Sequence, residues 1–325
     1  MTVLGKRLHP VLRAVLGIAA VVAGAAVVVS LVGAGLVTSL ARTYDRTTTT
    51  IHTAFPDAPR PVADERGALD VLLIGSDARS PSAGNGRSDS LMLLHIGADR
   101  RAVFVMSIMR DSWVDVPGHG MAKINAAYSW GGVPLTVQTV EQLLGVRVDH
   151  VAEIGFEGFA AMTDALGGVD VDAPKAFTWG GHAFASGRNH LDGAEALSFV
   201  RARYPFADAD HQRVANQQSF MRGVARAVLS RGTLTNPARI GDLVTATASH
   251  LSVDPGLTSR RLVDIGWSLR DLRADDVHTF TLASSGGGTA ADGQSYVSID
   301  AASLASLRSA LTDDDLGRYL DTRPR

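Results

Sequence analysis

The chain has 325 residues, 46% of them hydrophobic, a net charge of −2 and no cysteine. That length can bury a sizeable core, in one large domain or two small ones. The near-neutral charge gives no global field for nucleic acid, and the lack of cysteine excludes disulfides, thiolate catalysis and cysteine-bound zinc or iron–sulfur centres.

Lys6, Arg7 and Arg13 precede a run, residues 14–41, that contains no charged side chain. Such a run is long enough to cross a bilayer as one helix, and the basic residues before it put the short N-terminus on the cytoplasmic side. The expectation is a cytoplasmic tail (1–13), a transmembrane anchor (14–41) in the cell membrane and an extracytoplasmic remainder. A cleaved signal peptide is the alternative, although the run is long for one. Residues 42–68 hold four consecutive threonines and Pro56, Pro59 and Pro61, and read as a linker. Residues 69–325 then form the extracytoplasmic domain.

Within that domain, apolar runs at 69–74, 90–96 and 102–108 read as buried strands. A helix is expected at 134–144, stopped by Gly145. A strand at 151–154, a helix at 156–166 and a short strand at 169–171 follow. Helical patterns occupy 191–203 and 210–229, then 236–249 and 258–272. A strand at 277–282 and a strand–helix pair at 296–311 close the chain, and the glycine-rich 284–288 reads as a loop. This alternation predicts an α/β fold: a three-layer α/β/α sandwich with a mixed central sheet, preceded by one transmembrane helix.

No Walker A sequence, dinucleotide fingerprint, zinc-protease helix or serine-hydrolase elbow occurs. Instead, aspartates and arginines stand where apolar runs end. Asp77 and Asp89, near Arg79 and Arg87, could hold Mg²⁺ as one or two carboxylates usually do. Turn capping and ion pairing with those arginines are the plainer uses. Arg110 follows an apolar strand, at the strand end where open α/β sheets place ligands; a surface pair with Asp111 is the alternative. Lys123 is similarly ambiguous. Arg201 and Arg203 end one helical pattern, and Asp210, Arg213, Gln217 and Gln218 open the next. Arg213 and Gln217 are four apart and share a helix face. Converging guanidiniums suit a multiply charged phosphate, the alternative being a solvated basic helix end.

Eight segments occur in order: LLIGSDAR (72–79), GRSDS (86–90), SIMRD (107–111), KINAAYSWGG (123–132), GFEGF (155–159), LGGVDV (166–171), LDGAEALSFVRARY (191–204) and DHQRVANQQ (210–218). Together they closely resemble the LytR-CpsA-Psr family of membrane-anchored cell-wall enzymes. The resemblance implies a phosphotransferase that moves a glycopolymer from a polyprenyl-pyrophosphate carrier onto peptidoglycan, leaves a phosphodiester link and needs Mg²⁺ or Mn²⁺. It further implies that Asp77 and Asp89 hold the metal. Arg87, Arg110, Arg201, Arg203, Arg213 and Gln217 then bind the pyrophosphate, with Arg79, Lys123 and Asp210 nearby. Arg110 stabilises the leaving phosphate, and apolar residues in 135–166 and 214–229 line a lipid tunnel. A pyrophosphatase acting on the same lipid, or a non-catalytic lipid-binding regulator, are the alternatives. The family often reads D-x-G-R-x-x-R-Q-Q where this chain has Gln212 and Asn216 at the glycine and second arginine positions. Beyond about residue 235 no family motif matches residue by residue.

Overall fold

Strands form where alternate residues can bury on both sides of one sheet, and this chain supplies such runs early. A computed structural model describes residues 35–76, 88–202 and 209–323, without the side chains of Asp89 and residues 209–211. A helix described over 35–47 (α1) leads into β1 (Thr49–Thr50). Then come β2 (Leu69–Ser76), β3 (Ser88–Ile96), β4 (Val103–Ile108), the hairpin β5 (Trp113–Val116) and β6 (Gly120–Lys123), and α2 (Ile124–Leu144). The middle holds β7 (His150–Gly155), α3 (Phe156–Ala165), β8 (Val169–Ala173), β9 (Phe177–Trp179), β10 (His182–Phe184), β11 (Gly187–Leu191), α4 (Gly193–Arg201) and α5 (Ala209–Val228). The last third contains α6 (Arg231–Leu234), α7 (Pro237–Ala248), β12 (Leu251–Val253), α8 (Ser259–Ser268), β13 (Val277–Thr281), β14 (Ser284–Thr289), β15 (Ser295–Ile299), α9 (Ala301–Asp313) and α10 (Leu316–Thr322).

The central sheet of the described residues has the order β1-β12-β7-β2-β3-β4-β13 and is mixed. Its alternation assigns the two faces. Leu72, Ile74, Leu91, Leu93, Phe104 and Met106 pack in one cluster with α2, α9 and α10. Their neighbours Leu69, Met92, Ile96, Val103 and Val105 pack on the other face with Met221 of α5 and Ile265 of α8. Helices therefore cover both faces, as the near-continuous apolar runs of doubly buried strands require.

Local chemistry sets several boundaries. Gly145 takes φ 74 and caps α2, and Asp192 with Glu195 forms a capping box at the start of α4. The helix expected at 134–144 is the second part of α2: Gly131 and Gly132 (φ 62, ψ −149) leave helical geometry and separate it from a first part that begins at Ile124. The glycine-rich 284–288 is not a loop: it is β14, paired antiparallel with β15. Cross-strand hydrogen bonding outweighs glycine's low strand propensity there. In the segment read as a linker, β1 pairs with β12, Ala54 is buried and Arg60 binds Glu141 at 2.6 Å. Among the described residues no helix is long and apolar enough to cross a membrane; most of the 14–41 run lies outside them.

His95, 2% exposed, links three elements: Nδ1 lies 2.9 Å from Asp70 Oδ1 and Nε2 2.9 Å from Asp314 Oδ1. Burial opposes its charged form, but the hydrogen bonds and charges of the two aspartates outweigh burial and raise its pKa. Burial also raises the pKa of Asp70, against the opposing pull of His95. The folded protein thus binds the His95 proton more tightly than the unfolded chain does. That stabilisation is complete below the ordinary histidine pKa of about 6.5 and is lost as pH rises through the higher folded value. Melting temperature should therefore fall as pH is raised from 6 towards 8. Asp314→Asn should flatten the slope and cost about 1 kcal/mol at the acid end, the difference between a charged and a neutral hydrogen bond. An unchanged slope in calorimetric melts of Asp314→Asn would remove His95 from this role.

Candidate active site

Strand direction brings the sequence motifs to one edge. β2 runs parallel to β7 and antiparallel to β3, which runs antiparallel to β4. The C-terminal ends of β2, β4 and β7 and the start of β3 therefore lie along one side of the sheet. Ser76, which directly precedes Asp77, pairs there with Ser88, while Gly75 pairs with Ser90. Asp89 is left as the extra residue of a β-bulge in the backbone pairing. The strands cross closely here: a Cβ on Gly75 would stand 3.1 Å from Ser90 Cβ, so Ser90 would have to give by a few tenths of an ångström.

Beneath this edge, between the sheet and α3, α4 and α5, is a cavity of about 760 Å³. Its walls are mostly apolar, from Leu73 and Met92 on the sheet to Phe159, Phe220 and Val224 on the helices. Arg213, Gln217, Phe220, Met221 and Val224 recur at one helical spacing, so α5 presents a single face to it. From Arg213 to Val224 the helix advances about 16 Å. That face changes from charged to apolar along its length.

The charged end collects four of the residues singled out from sequence. Arg110, Arg201, Arg213 and Gln217 all line the cavity. Arg110 lies just past β4, with Nε 3.6 Å from Asp111. Arg201, the last residue of α4, places its guanidinium carbon 4.5 Å from the ring centroid of Phe156, a cation–π contact. Arg213 is only 5% exposed. No acidic residue is among the described residues that line this cavity, although Asp111 stands beside Arg110 outside it. Three guanidiniums at a mostly apolar space suit a multiply charged anion.

Lys123 stands apart from the large cavity. Its ammonium is 3.1 Å from Asp111, and both line a smaller neighbouring cavity together with Arg110. Asp77, Arg79, Arg87 and Arg203 lie outside the described residues, as do the side chains of Asp89 and Asp210. The two departures from the family pattern have a structural use. Asn216 is buried and its Nδ2 donates to the carbonyl of Phe199, while Gln212 Nε2 donates to Asn216 Oδ1. A neutral amide pair thus ties α5 to the end of α4, beside Arg201.

Two features escaped the sequence reading. Phe156 stands in the GFEGF motif without a role of its own, and its contact appears only when Arg201 is laid over it. Glu153 is 3% exposed on β7; Ser76 Oγ and Tyr128 OH each donate to its Oε1 at 2.6 Å. Its Oε2 and the buried Ser88 Oγ have no hydrogen-bond partner among the described residues. Ser88 directly precedes Asp89, and Glu153 on β7 is reached by Ser76, the residue before Asp77; hard oxygen donors of this kind suit a divalent cation such as Mg²⁺. No group of three potential metal ligands occurs among the described residues.

The model of the LytR_cpsA_psr family matches residues 37–313. The chain is 36% identical over 204 residues to a Bacillus anthracis protein named polyisoprenyl-teichoic acid–peptidoglycan teichoic acid transferase TagU, covering 62% of this chain and 65% of that one. It is 31% identical over 280 residues to cell wall biosynthesis protein LcpA of Corynebacterium glutamicum, covering 72% of this chain and 54% of that protein. The alignments thus leave about a third to a half of those relatives unmatched. Among solved structures, B. subtilis TagV superposes with a TM-score of 0.67 at 25% identity, over 80% of this chain and 100% of that one. TagT bound to LI-WTA superposes with a TM-score of 0.63 at 25% identity, over 81% of this chain and 99% of that one. The fold, the sheet-edge arginines and the family match over most of its length agree: the chain belongs to the LytR_cpsA_psr family.

Proposed function

We propose that the protein is a phosphotransferase that moves a glycopolymer from a polyprenyl-pyrophosphate carrier onto peptidoglycan. The observation that carries this reading is the large cavity: apolar along most of α5, with Arg110, Arg201 and Arg213 at one end. Its ligand is an amphiphile with an anionic head and a long hydrocarbon tail. The relative named as a polyisoprenyl-teichoic acid–peptidoglycan teichoic acid transferase supports the same chemistry.

In this reading the tail lies along Phe159, Phe220 and Val224, and the pyrophosphate meets the arginines. An acceptor sugar hydroxyl attacks the phosphorus that bears the glycopolymer. The new P–O bond forms as the bridging P–O bond breaks, and its electrons leave with the polyprenyl phosphate. The hydroxyl proton passes to solvent or a nearby base. Arg110 stabilises the charge that builds on the leaving oxygen, since phosphoryl transfer depends chiefly on positioning and charge neutralisation. Arg201, Arg213 and Gln217 fix the non-bridging oxygens. Asp77 and Asp89 would hold Mg²⁺ or Mn²⁺, which neutralises pyrophosphate charge when bound. The apolar run 14–41 anchors the chain in the cell membrane, with this domain outside and near its lipid substrate.

The deciding assay supplies the full chain in detergent with a polyprenyl-pyrophosphate saccharide, Mg²⁺ and soluble peptidoglycan fragments. Mass spectrometry should find saccharide phosphate joined to the fragment. Free saccharide phosphate alone would convert the reading to a pyrophosphatase, and unchanged donor to a lipid-binding regulator. Chelation should stop transfer, with Mg²⁺ restoring it. Asp89→Asn should raise the Mg²⁺ needed for half-maximal rate by at least ~10-fold. Full activity in the presence of chelator would rule out the metal.

A further inference from the structure

Arg110 lines two cavities, and only the apolar one is accounted for by the lipid. The second, of about 280 Å³, is bounded by Asp111, Lys123, Asn125, Ser129, Trp130 and Gln294. We infer that this polar cavity is a saccharide subsite, which seats a pyranose ring beside the phosphate held at Arg110. The inference rests on the phosphotransfer reading for its position, but on its own lining for its chemistry.

A sugar ring presents hydroxyls that both donate and accept, and an apolar face of C–H groups. Its binding site therefore needs mixed donors and acceptors together with an aromatic surface. This cavity is lined by Asn125, by Gln294, whose Nε2 donates to Asp292 Oδ2 at 2.6 Å, by Ser129 and by the Asp111–Lys123 ion pair, a mixed set of donors and acceptors. Trp130 supplies the aromatic surface. It is 50% exposed and its ring is stacked on His119 with centroids 4.7 Å apart. The volume is near the lower limit of ligand pockets, roughly 300 Å³, and so suits a single ring rather than a polymer.

The lining is built by three separate elements. Asn125, Ala126, Ser129 and Trp130 fall at i, i+1, i+4 and i+5 on one face of α2. The first turn of α2 is fixed to the strand end, because Asn125 N donates to the Arg110 carbonyl and Ile124 N to that of Ser112. Gln294 arrives from the turn between β14 and β15, the hairpin that the sequence presented as a loop. That hairpin is seated by Val297 N donating to the Asp111 carbonyl at 2.9 Å and by Trp113 stacking on Tyr296 at 4.5 Å. The subsite is thus held to the same strand end as Arg110.

The ring has two possible sources, the acceptor glycan or the first sugar of the donor, and kinetics separates them. Transfer is measured with the full chain in detergent, varying in turn a soluble peptidoglycan disaccharide fragment and the lipid-linked donor. The double variant Trp130→Ala/Gln294→Ala should raise one of the two KM values roughly tenfold while kcat stays within about twofold. A rise for the fragment assigns the ring to the acceptor, and a rise for the donor assigns it to the glycopolymer. Trp267→Ala, at an exposed position of α8 outside both cavities, should alter neither. If neither KM of the folded double variant moves beyond about twofold, the inference is overturned. A titration without turnover keeps this result separate from the phosphotransfer reading. The fragment, or failing that the donor saccharide released from its lipid, should change tryptophan fluorescence in the wild type and not in Trp130→Ala. Such a signal in a protein that transfers nothing would retain the subsite and remove the phosphotransferase. Absence of any signal dependent on Trp130 would remove the subsite.

Discussion

Arg110→Ala should lower kcat for the proposed transfer by roughly 10²–10³-fold or more, the usual effect of deleting a group that stabilises transition-state charge. The fold should survive, because the Arg110 side chain is 18% exposed at a strand end and not part of the apolar core. Donor binding should weaken much less than turnover, since Arg201 and Arg213 still face the anionic head. Arg110→Lys keeps the charge but not the planar two-pronged donor, so it should recover only a part of the rate. Single-turnover rates with labelled donor, together with a melting curve, provide the check. A kcat within tenfold of wild type would move the leaving-group role to another residue.

Val224→Trp should impair the protein in proportion to the length of the donor lipid. Val224 lies three helical turns along α5 from Arg213, on the face that lines the cavity. A tryptophan there fills space that the far end of a long hydrocarbon tail would occupy. Each methylene kept out of an apolar environment forfeits about 0.8 kcal/mol, so excluding two or three weakens binding on the order of tenfold to fiftyfold. Donors with tails too short to reach that depth should bind as they do to the wild type. Binding measured across a series of prenyl lengths decides the matter. Equal loss for short and long donors would indicate general distortion, and no loss would place the tail elsewhere.

Much of the fold is legible in the order of residues because its signals are local. The runs at 69–74, 90–96 and 102–108 are predominantly apolar, broken only by Asp70, Ser90, His95 and Ser107, and all three became strands of the central sheet. Gly145 and the Asp192–Glu195 pair mark helix ends through backbone sterics and hydrogen bonds that act within a few residues. β14 was not legible, because a glycine-rich segment has no strand preference until β15 supplies its hydrogen bonds. Residues 49–60 looked like a linker for the same reason: the partners of Thr49 and Arg60 lie at Ser252 and Glu141.

The candidate site divides in the same way. Sequence by itself determined the family, through eight ordered motifs, and marked the arginines and aspartates as the groups to watch. It also placed Arg213 and Gln217 on one helix face, which needs only the helical repeat. Only the tertiary structure brought Arg110, Arg201 and Arg213 to one end of an apolar cavity, set Phe156 beneath Arg201, and carried Gln294 to the second cavity. Those residues come from β4, α4, α5, the start of α3 and the β14–β15 turn, so no local pattern relates them. Their proximity follows from parallel and antiparallel pairing across the sheet, which depends on burying the whole core and not on the spacing of any one motif.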